Sequence, residues 1–438
     1  FIGREREQAE ALALLKDPAC RLLSLVGPGG VGKTRLAIAL AQSAPPAVFV
    51  GLASAAHATT PNPAHTAEAG VKPAYAIAQA IAQTLKIPFS VEKLQLDAIV
   101  QPLLNVLNGQ TLTLVLDNIE HLIAGSGLLA SLLTALPQLK IIATSRERLN
   151  LRDEWTFALG GLNVPAESIA MQDLGKHSAT QLFLQAARRA SGTDRLNRND
   201  ASHIVRVCRM VDGLPLGIEL AAAWTRMLTP SEIVQEIEQD LNFLSTHSPD
   251  LPDRHRSMTA VFDYSWNLLS PIEQRIFCQL GLFAQSFSRE AAAQIAGASL
   301  LRLTGLVDKS LVQRSDDQRY QLHQLLRRFA EAKLRERPDL FEACRQRHCQ
   351  FFAQQIENQA GDLVGSPRQK LALDAVAAEQ DNLRMAWAIA IAQNDLASII
   401  RLLGGTFYFY ELRSWFREGA ETFAKAADAL ERLSDGAD

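Results

Sequence analysis

Short apolar runs alternate with helical patterns over the first third of the chain. Residues 22–26, 47–52, 112–116 and 140–143 are enriched in Leu, Val and Ile, and each run is followed by a polar or Gly-rich turn. Uninterrupted apolar runs of this length suit strands buried on both faces of a parallel sheet. Between them, residues 75–85 and 127–136 carry apolar positions at helical spacing. Strand and helix in alternation predict an α/β domain with a parallel sheet, reaching to about residue 160. Residues 53–74 are rich in Ala, Thr, Pro and His and lack any period. They predict a long surface loop.

From about residue 163 the pattern turns mostly helical. Ala179, Leu182, Phe183, Ala186 and Ala187 fall on one face at helical spacing. Thr229-Pro230-Ser231-Glu232 and Ser270-Pro271-Ile272-Glu273 are two capping boxes, each with Pro at the first helical position. Residues 311–314 and 319–322 flank the polar stretch Ser315-Asp316-Asp317-Gln318 and predict a β-hairpin. Helices followed by a hairpin is the order of a winged-helix module. Beyond about residue 338 only helical pattern remains. Residues 395–409 and 415–430 suit the helical hairpins of a solenoid or an irregular helical domain, without a clean 34-residue repeat.

Composition narrows the class. The chain has 438 residues, enough for about three domains. Forty-four basic residues balance 47 acidic ones, a net charge of −3 that carries no global nucleic-acid or membrane signal. Five scattered cysteines, Cys20, Cys208, Cys278, Cys344 and Cys349, are too few for a disulfide framework and read as reduced thiols in cytoplasm. No apolar run reaches the roughly 18 residues of a membrane span. The chain starts at Phe1 without Met and ends inside a helical pattern, as expected for a piece of a longer protein.

Gly27-Pro28-Gly29-Gly30-Val31-Gly32-Lys33-Thr34 matches the P-loop pattern GxxxxGK[ST] in full. It follows the predicted strand 22–26 and opens the helical run 34–42, the context the motif requires. Glycines let backbone N–H groups turn inward around phosphates, and the helix N-terminus favours their charge. Lys33 reaches the β and γ phosphates, and the Thr34 hydroxyl binds Mg²⁺.

Asp117 ends the apolar run 112–116, where a carboxylate can face the phosphates and hold Mg²⁺ through water. Asn118 follows it where many related ATPases place a second acid, and an amide takes no proton at neutral pH. Glu120 is the nearest substitute base, or else a helix-cap or surface acid. Thr144-Ser145-Arg146 follows the run 140–143. An Arg there can reach the γ-phosphate and report hydrolysis.

Phe1-Ile2-Gly3-Arg4-Glu5, the P-loop, Leu114-Val115-Leu116-Asp117-Asn118, Thr144-Ser145-Arg146-Glu147 and Gly213-Leu214-Pro215-Leu216 occur in an order and spacing that resemble the STAND ATPases of the NB-ARC type, in particular bacterial regulator ATPases. The likeness covers nearly the whole chain. It implies a P-loop domain at 1–160, a small helical domain at 161–248, a winged-helix domain at 249–337 and a tetratricopeptide-like arm at 338–438. It also implies that Phe1, Ile2, Gly3, Arg4 and Pro215 border the adenine, that Arg35 joins the nucleotide set, and that Thr144 and Arg146 sense the γ-phosphate. His323, with Gln324 where the family has Asp, matches a His that contacts the ADP β-phosphate. Alternatively it is a structural residue at the hairpin–helix junction. Leu306-Val307-Asp308-Lys309-Ser310-Leu311-Val312 and Glu379-Gln380-Asp381-Asn382-Leu383-Arg384 resemble the winged-helix core and the start of the arm.

The expected function is an ATP/ADP-controlled signalling switch with slow ATPase activity. A ligand or protein on the arm opens it, the ATP state self-associates, and an effector fused at the N-terminus gives the output. A DNA-binding regulator using the winged helix is the first alternative. Residues 319–349 hold eight basic residues against four acidic ones, but the predicted helix 270–280 lacks a basic recognition face, so direct nucleic-acid binding by this fragment is not expected. A turnover ATPase is the second alternative. Cys344 and the His348-Cys349 pair do not supply four metal ligands locally.

Overall fold

The computed structural model describes residues 2–43, 46–53, 70–89, 91, 95–165, 169–191, 197, 200–246, 256–315 and 317–435. The chain divides into two compact units, Phe1–Leu268 with Asp308–Ser310, and Leu269–Val307 with Leu311–Asp438.

The first unit begins with α1 (Glu5–Lys16), β1 (Leu22–Val26), α2 (Lys33–Ser43) and β2 (Ala47–Gly51). There follow α3 (Val71–Leu85), α4 (Leu96–Leu107), β3 (Leu112–Asp117), α5 (Gly127–Ala135), β4 (Leu139–Ser145) and β5 (Glu154–Ala158). All five strands are parallel, in the order β2-β3-β4-β1-β5. Every residue of β1 and β3 is buried, the physical reason their sequences run apolar without alternation. β4 lies between β1 and β3, so the carboxyl ends of β1, β4 and β3 stand side by side. In open parallel sheets that edge is where ligands bind.

Two expectations need correction. α3 begins at Val71, so 71–74 are helical rather than loop, while 54–69 lie outside the described residues. β5 has no counterpart in the expected strands. It is an edge strand whose residues are half-buried or exposed, and its Glu154-Trp155-Thr156-Phe157-Ala158 makes no apolar run.

Helices complete the unit: α6 (Ser178–Ser191), α7 (Ala201–Met210), α8 (Pro215–Ala223), α9 (Pro230–Gln239) and α10 (Met258–Asn267). The capping box at Thr229 and Glu232 is formed in both directions.

In the second unit, α11 (Pro271–Leu280) starts at the other capping box, formed between Ser270 and Glu273. It precedes β6 (Ser286–Phe287), α12 (Arg289–Ala296), α13 (Leu300–Asp308), β7 (Gln313–Arg314) and β8 (Tyr320–Gln321). β7 and β8 form the expected antiparallel hairpin, β6 joins β8 on its other side, and Asp316 of the turn lies outside the described residues. Helix, strand, two helices and a hairpin is the winged-helix order. α14 (Gln324–Arg335) follows the hairpin, and the arm comprises α15 (Pro338–Leu363), α16 (Gln369–Ala378), α17 (Gln380–Ala392), α18 (Leu396–Leu412) and α19 (Phe416–Asp435).

Glu379 and Asn382 of the arm meet the small sheet. Arg319 donates to Glu379 at 2.7 Å and to the Ser286 hydroxyl at 2.8 Å. Asn382 donates to the Ser286 carbonyl at 3.0 Å and accepts from the Ala284 N–H at 3.1 Å. Such a satisfied buried network fixes one relative placement of sheet and arm. His348 on α15 sits between Phe283 and Phe352, with ring centroids 5.7 and 4.7 Å away. Burial pushes its pKa down to about 3, so it is a neutral packing group. No helix among the described residues is long and apolar enough to cross a membrane.

α15 and α18 cross closely at Gly405, where an added Cβ would lie 2.6 Å from the Ile356 carbonyl oxygen. Backbone cannot yield as a flexible side chain does. Gly405→Ala is expected to cost about 1–3 kcal/mol in urea denaturation. Gly404→Ala, whose Cβ would meet nothing within 4 Å, should lower the midpoint not at all.

Candidate nucleotide site

The loop between β1 and α2 is built as a phosphate cradle. Gly32 has φ +96°, a conformation that suits Gly alone among common residues. Gly29 is pressed by neighbours, since a Cβ there would lie 2.3 Å from Val261 Cγ1 and 3.1 Å from Arg146 Cζ. Lys33, at the start of α2, donates to the carbonyls of Gly27 at 2.8 Å and Pro28 at 3.0 Å. Burial pushes its pKa down to about 8, opposed by Glu120 and Asp117 and assisted by Arg146. Those four side chains therefore converge on one place.

Asp117, at the end of β3, joins the strands. Its Oδ1 accepts from Thr34 Oγ1 at 2.7 Å and from Thr144 Oγ1 at 2.6 Å. The Thr144 hydroxyl in turn accepts from the Asn118 N–H at 2.9 Å. Asn118 has φ +67°, a region that Asn tolerates better than most residues. A hydroxyl and a carboxylate oxygen 2.7 Å apart, beside phosphate-binding amides, are the hard oxygen donors that suit Mg²⁺.

Arg146 and Glu120 are both buried and paired, Nε to Oε1 at 3.1 Å. Glu120 is thus no surface acid, and Arg146 is not an exposed cation. Glu120 Oε2 has no hydrogen-bond partner among the described residues. Arg146 Nη1 donates to the Val261 carbonyl at 2.8 Å and to the Ser265 hydroxyl. Its guanidinium lies 4.6 Å from the ring centroid of Tyr264. All three partners belong to α10, and the sequence reading singled out none of them. One offers a main-chain oxygen, and the other two sit in a helical stretch without a motif.

Arg4 is buried and donates to the carbonyls of Val31 at 3.2 Å and Gly160 at 2.5 Å, tying the chain's start to the loop. Ile2 is half-buried. Gly3 packs so tightly on Ser178 that a Cβ would meet Ser178 Cβ at 1.9 Å. Phe1 lies outside the described residues. Pro215 is the first residue of α8, and the next N–H, of Leu216, donates to the Gly30 carbonyl at 3.2 Å. Arg35 is exposed and reaches Glu219 at 3.5 Å. His323 belongs to the second unit, buried at the N-cap of α14.

No protein-family model matches the chain. The uncharacterized protein Rv0894 of Mycobacterium tuberculosis is 30% identical over 349 residues, 77% of this chain and 81% of that one. The chain belongs to the family of Rv0894. Rv0890c of the same organism, provisionally named an HTH-type transcriptional regulator, is 30% identical over 417 residues, 92% of this chain and 43% of its own length. The chain thus spans less than half the length of that relative. Among solved structures, the Walker-type ATPase PABY2304 of Pyrococcus abyssi aligns with TM-score 0.42 and 17% identity, over 75% of this chain and 96% of that one. The STAND protein with a tetratricopeptide repeat sensor PH0952 of Pyrococcus horikoshii aligns with TM-score 0.31 and 15% identity, over 99% and 64%. The P-loop fold of this family member rests on its own strand order and on the loop after β1.

The depressed Lys33 has a consequence for the nucleotide-free protein. Between about pH 8 and the unfolded value of 10.5, the folded state holds fewer protons on Lys33 than the unfolded state. Stability therefore rises with pH across that window, and the cost of burying the ammonium is fully present below it. Urea denaturation at about pH 7 and about pH 9.5 should show a larger gain for the wild type than for Lys33→Met, which lacks the titrating group. Equal gains would mean that Lys33 keeps an ordinary pKa.

Proposed function

We propose that this chain is the nucleotide-controlled switch of a signal-transduction ATPase, of the STAND class and NB-ARC type. The observation that carries the reading is the convergence of Lys33, Thr34, Asp117, Thr144 and a buried Glu120–Arg146 pair on the P-loop.

In this reading residues 1–160 hold the nucleotide, 161–248 form a small helical domain, 249–337 a winged-helix domain, and the arm at 338–438 receives the signal. Loop amides and Lys33 bind the β and γ phosphates of ATP. Thr34 and Asp117 hold Mg²⁺, which neutralises charge on the β and γ oxygens when bound. Thr144 holds the Asp117 carboxylate in place. Arg146 meets the γ-phosphate. Glu120 takes a proton from the attacking water, but only when its carboxylate is released from Arg146. That requirement makes hydrolysis slow, below the roughly 1–100 s⁻¹ of kinases.

ADP holds the closed form, with Ile2, Gly3, Arg4 and Pro215 around the base. A ligand or protein on the arm binds the open form better, as it must in order to shift the population. ATP then replaces ADP and the open form self-associates to activate an effector. The name of Rv0890c favours one second reading, transcription control through DNA. The switch accommodates it when the output is a DNA-binding segment.

Lys33→Ala is the test. The variant loses a point charge to phosphate and little packing. Calorimetry should detect ADP and ATP on the wild type and neither on the variant, with the helical circular-dichroism signal unchanged. Undiminished affinity of the variant for both nucleotides contradicts the reading.

A further inference from the structure

α10 reaches the mouth of the P-loop with three different groups that meet the Arg146 side chain. The Val261 carbonyl and the Ser265 hydroxyl accept from Arg146 Nη1, and the Tyr264 ring lies under its guanidinium. Ser265 also donates to the Val261 carbonyl at 3.4 Å, so acceptor and hydroxyl are themselves linked. The site is dry: Arg146 is 6% exposed and Ser265 9%. Hydrogen bonds to a charged group in such surroundings are strong. The guanidinium also lies against the loop, since Arg146 Cζ is 3.1 Å from where a Cβ of Gly29 would stand.

We propose that Ser265 and Tyr264 set this site's preference between a nucleoside diphosphate and a nucleoside triphosphate, by engaging the arginine that the terminal phosphate of the triphosphate must recruit. The proposal rests on the nucleotide-binding reading above. A diphosphate fills the cradle around Lys33 and leaves Arg146 on α10. A triphosphate brings a third phosphoryl group to the Gly29 side of the loop, where a planar guanidinium binds phosphate oxygens in paired fashion. Arg146 cannot give Nη1 to that phosphate and to α10 in the same geometry. The α10 contacts therefore lower triphosphate affinity and leave diphosphate affinity alone. The exchange also changes what α10 is bonded to, and only three residues separate the end of α10 from the start of α11. Ser265 and Tyr264 are positioning residues in this account, acting through Arg146.

The test uses the whole chain stripped of nucleotide, with ADP and a non-hydrolysable ATP analogue as calorimetric probes. Ser265→Ala should tighten the analogue about tenfold, the scale of one hydrogen bond to a charged group, and leave ADP within about twofold. Tyr264→Leu should shift the same ratio in the same direction by about threefold, and Tyr264→Phe, which keeps the ring, should restore it. Tyr264→Leu also keeps the proposal open to refutation if Ser265→Ala does not fold. A loss of affinity for both nucleotides would mean that α10 only supports the fold. An unchanged ratio would mean that α10 does not compete for Arg146, and a weaker analogue would mean that it aims Arg146 at the phosphate; either result overturns the proposal. If the wild type binds neither probe, the nucleotide reading itself fails, an outcome distinct from an unchanged ratio.

Discussion

One carboxylate oxygen ties the site together. Asp117 Oδ1 accepts from Thr34 at the start of α2 and from Thr144 in β4, while its own backbone ends β3. Three elements that meet the nucleotide edge are thereby set against one another at 2.6–2.7 Å. The strand order makes this possible, because β4 stands between β3 and β1. Without that insertion Thr144 would not lie beside Asp117, and Arg146 would not be delivered to the mouth of the loop.

The second constraint is the burial of Arg146 with Glu120. A buried ion pair is weak evidence for stability, because desolvation offsets most of its attraction. It is better suited to a choice between arrangements. Here each partner withholds the other: Glu120 is an acceptor already engaged, and Arg146 is a cation already satisfied by the acid and by α10. In the proposed switch, a terminal phosphate that recruits Arg146 would release Glu120 at the same moment, so that sensing and proton abstraction would be one event.

Much of the nucleotide edge is legible in the sequence, because its chemistry is local. The P-loop is one contiguous stretch, and Asp117 follows an apolar run that burial on both faces dictates. Thr144 and Arg146 follow another such run. β5 is not legible, since an edge strand needs no continuous apolar run. Asn118 reads as a missing acid in the sequence. In the fold Asn118 turns the chain out of β3 in a left-handed conformation, and the nearest acid lies two residues later, buried at Glu120. The α10 partners of Arg146 are the least legible. They lie more than a hundred residues away, and one acts through its main chain. Glu379 and Asn382 were visible only as a motif, and the fold supplies their reason in the clasp on Ser286 and Arg319.

Whether Asp117 acts as more than a structural tie is decided by the Mg²⁺ dependence of ATP binding, measured by calorimetry on the wild type and on Asp117→Asn, with Mg²⁺ and with a chelator. The amide is nearly isosteric and can still accept from Thr34 and Thr144, but it carries no charge for a hard cation. The account predicts that Mg²⁺ tightens ATP binding to the wild type and leaves the Asn variant unaffected. Equal Mg²⁺ dependence in the two proteins would contradict it.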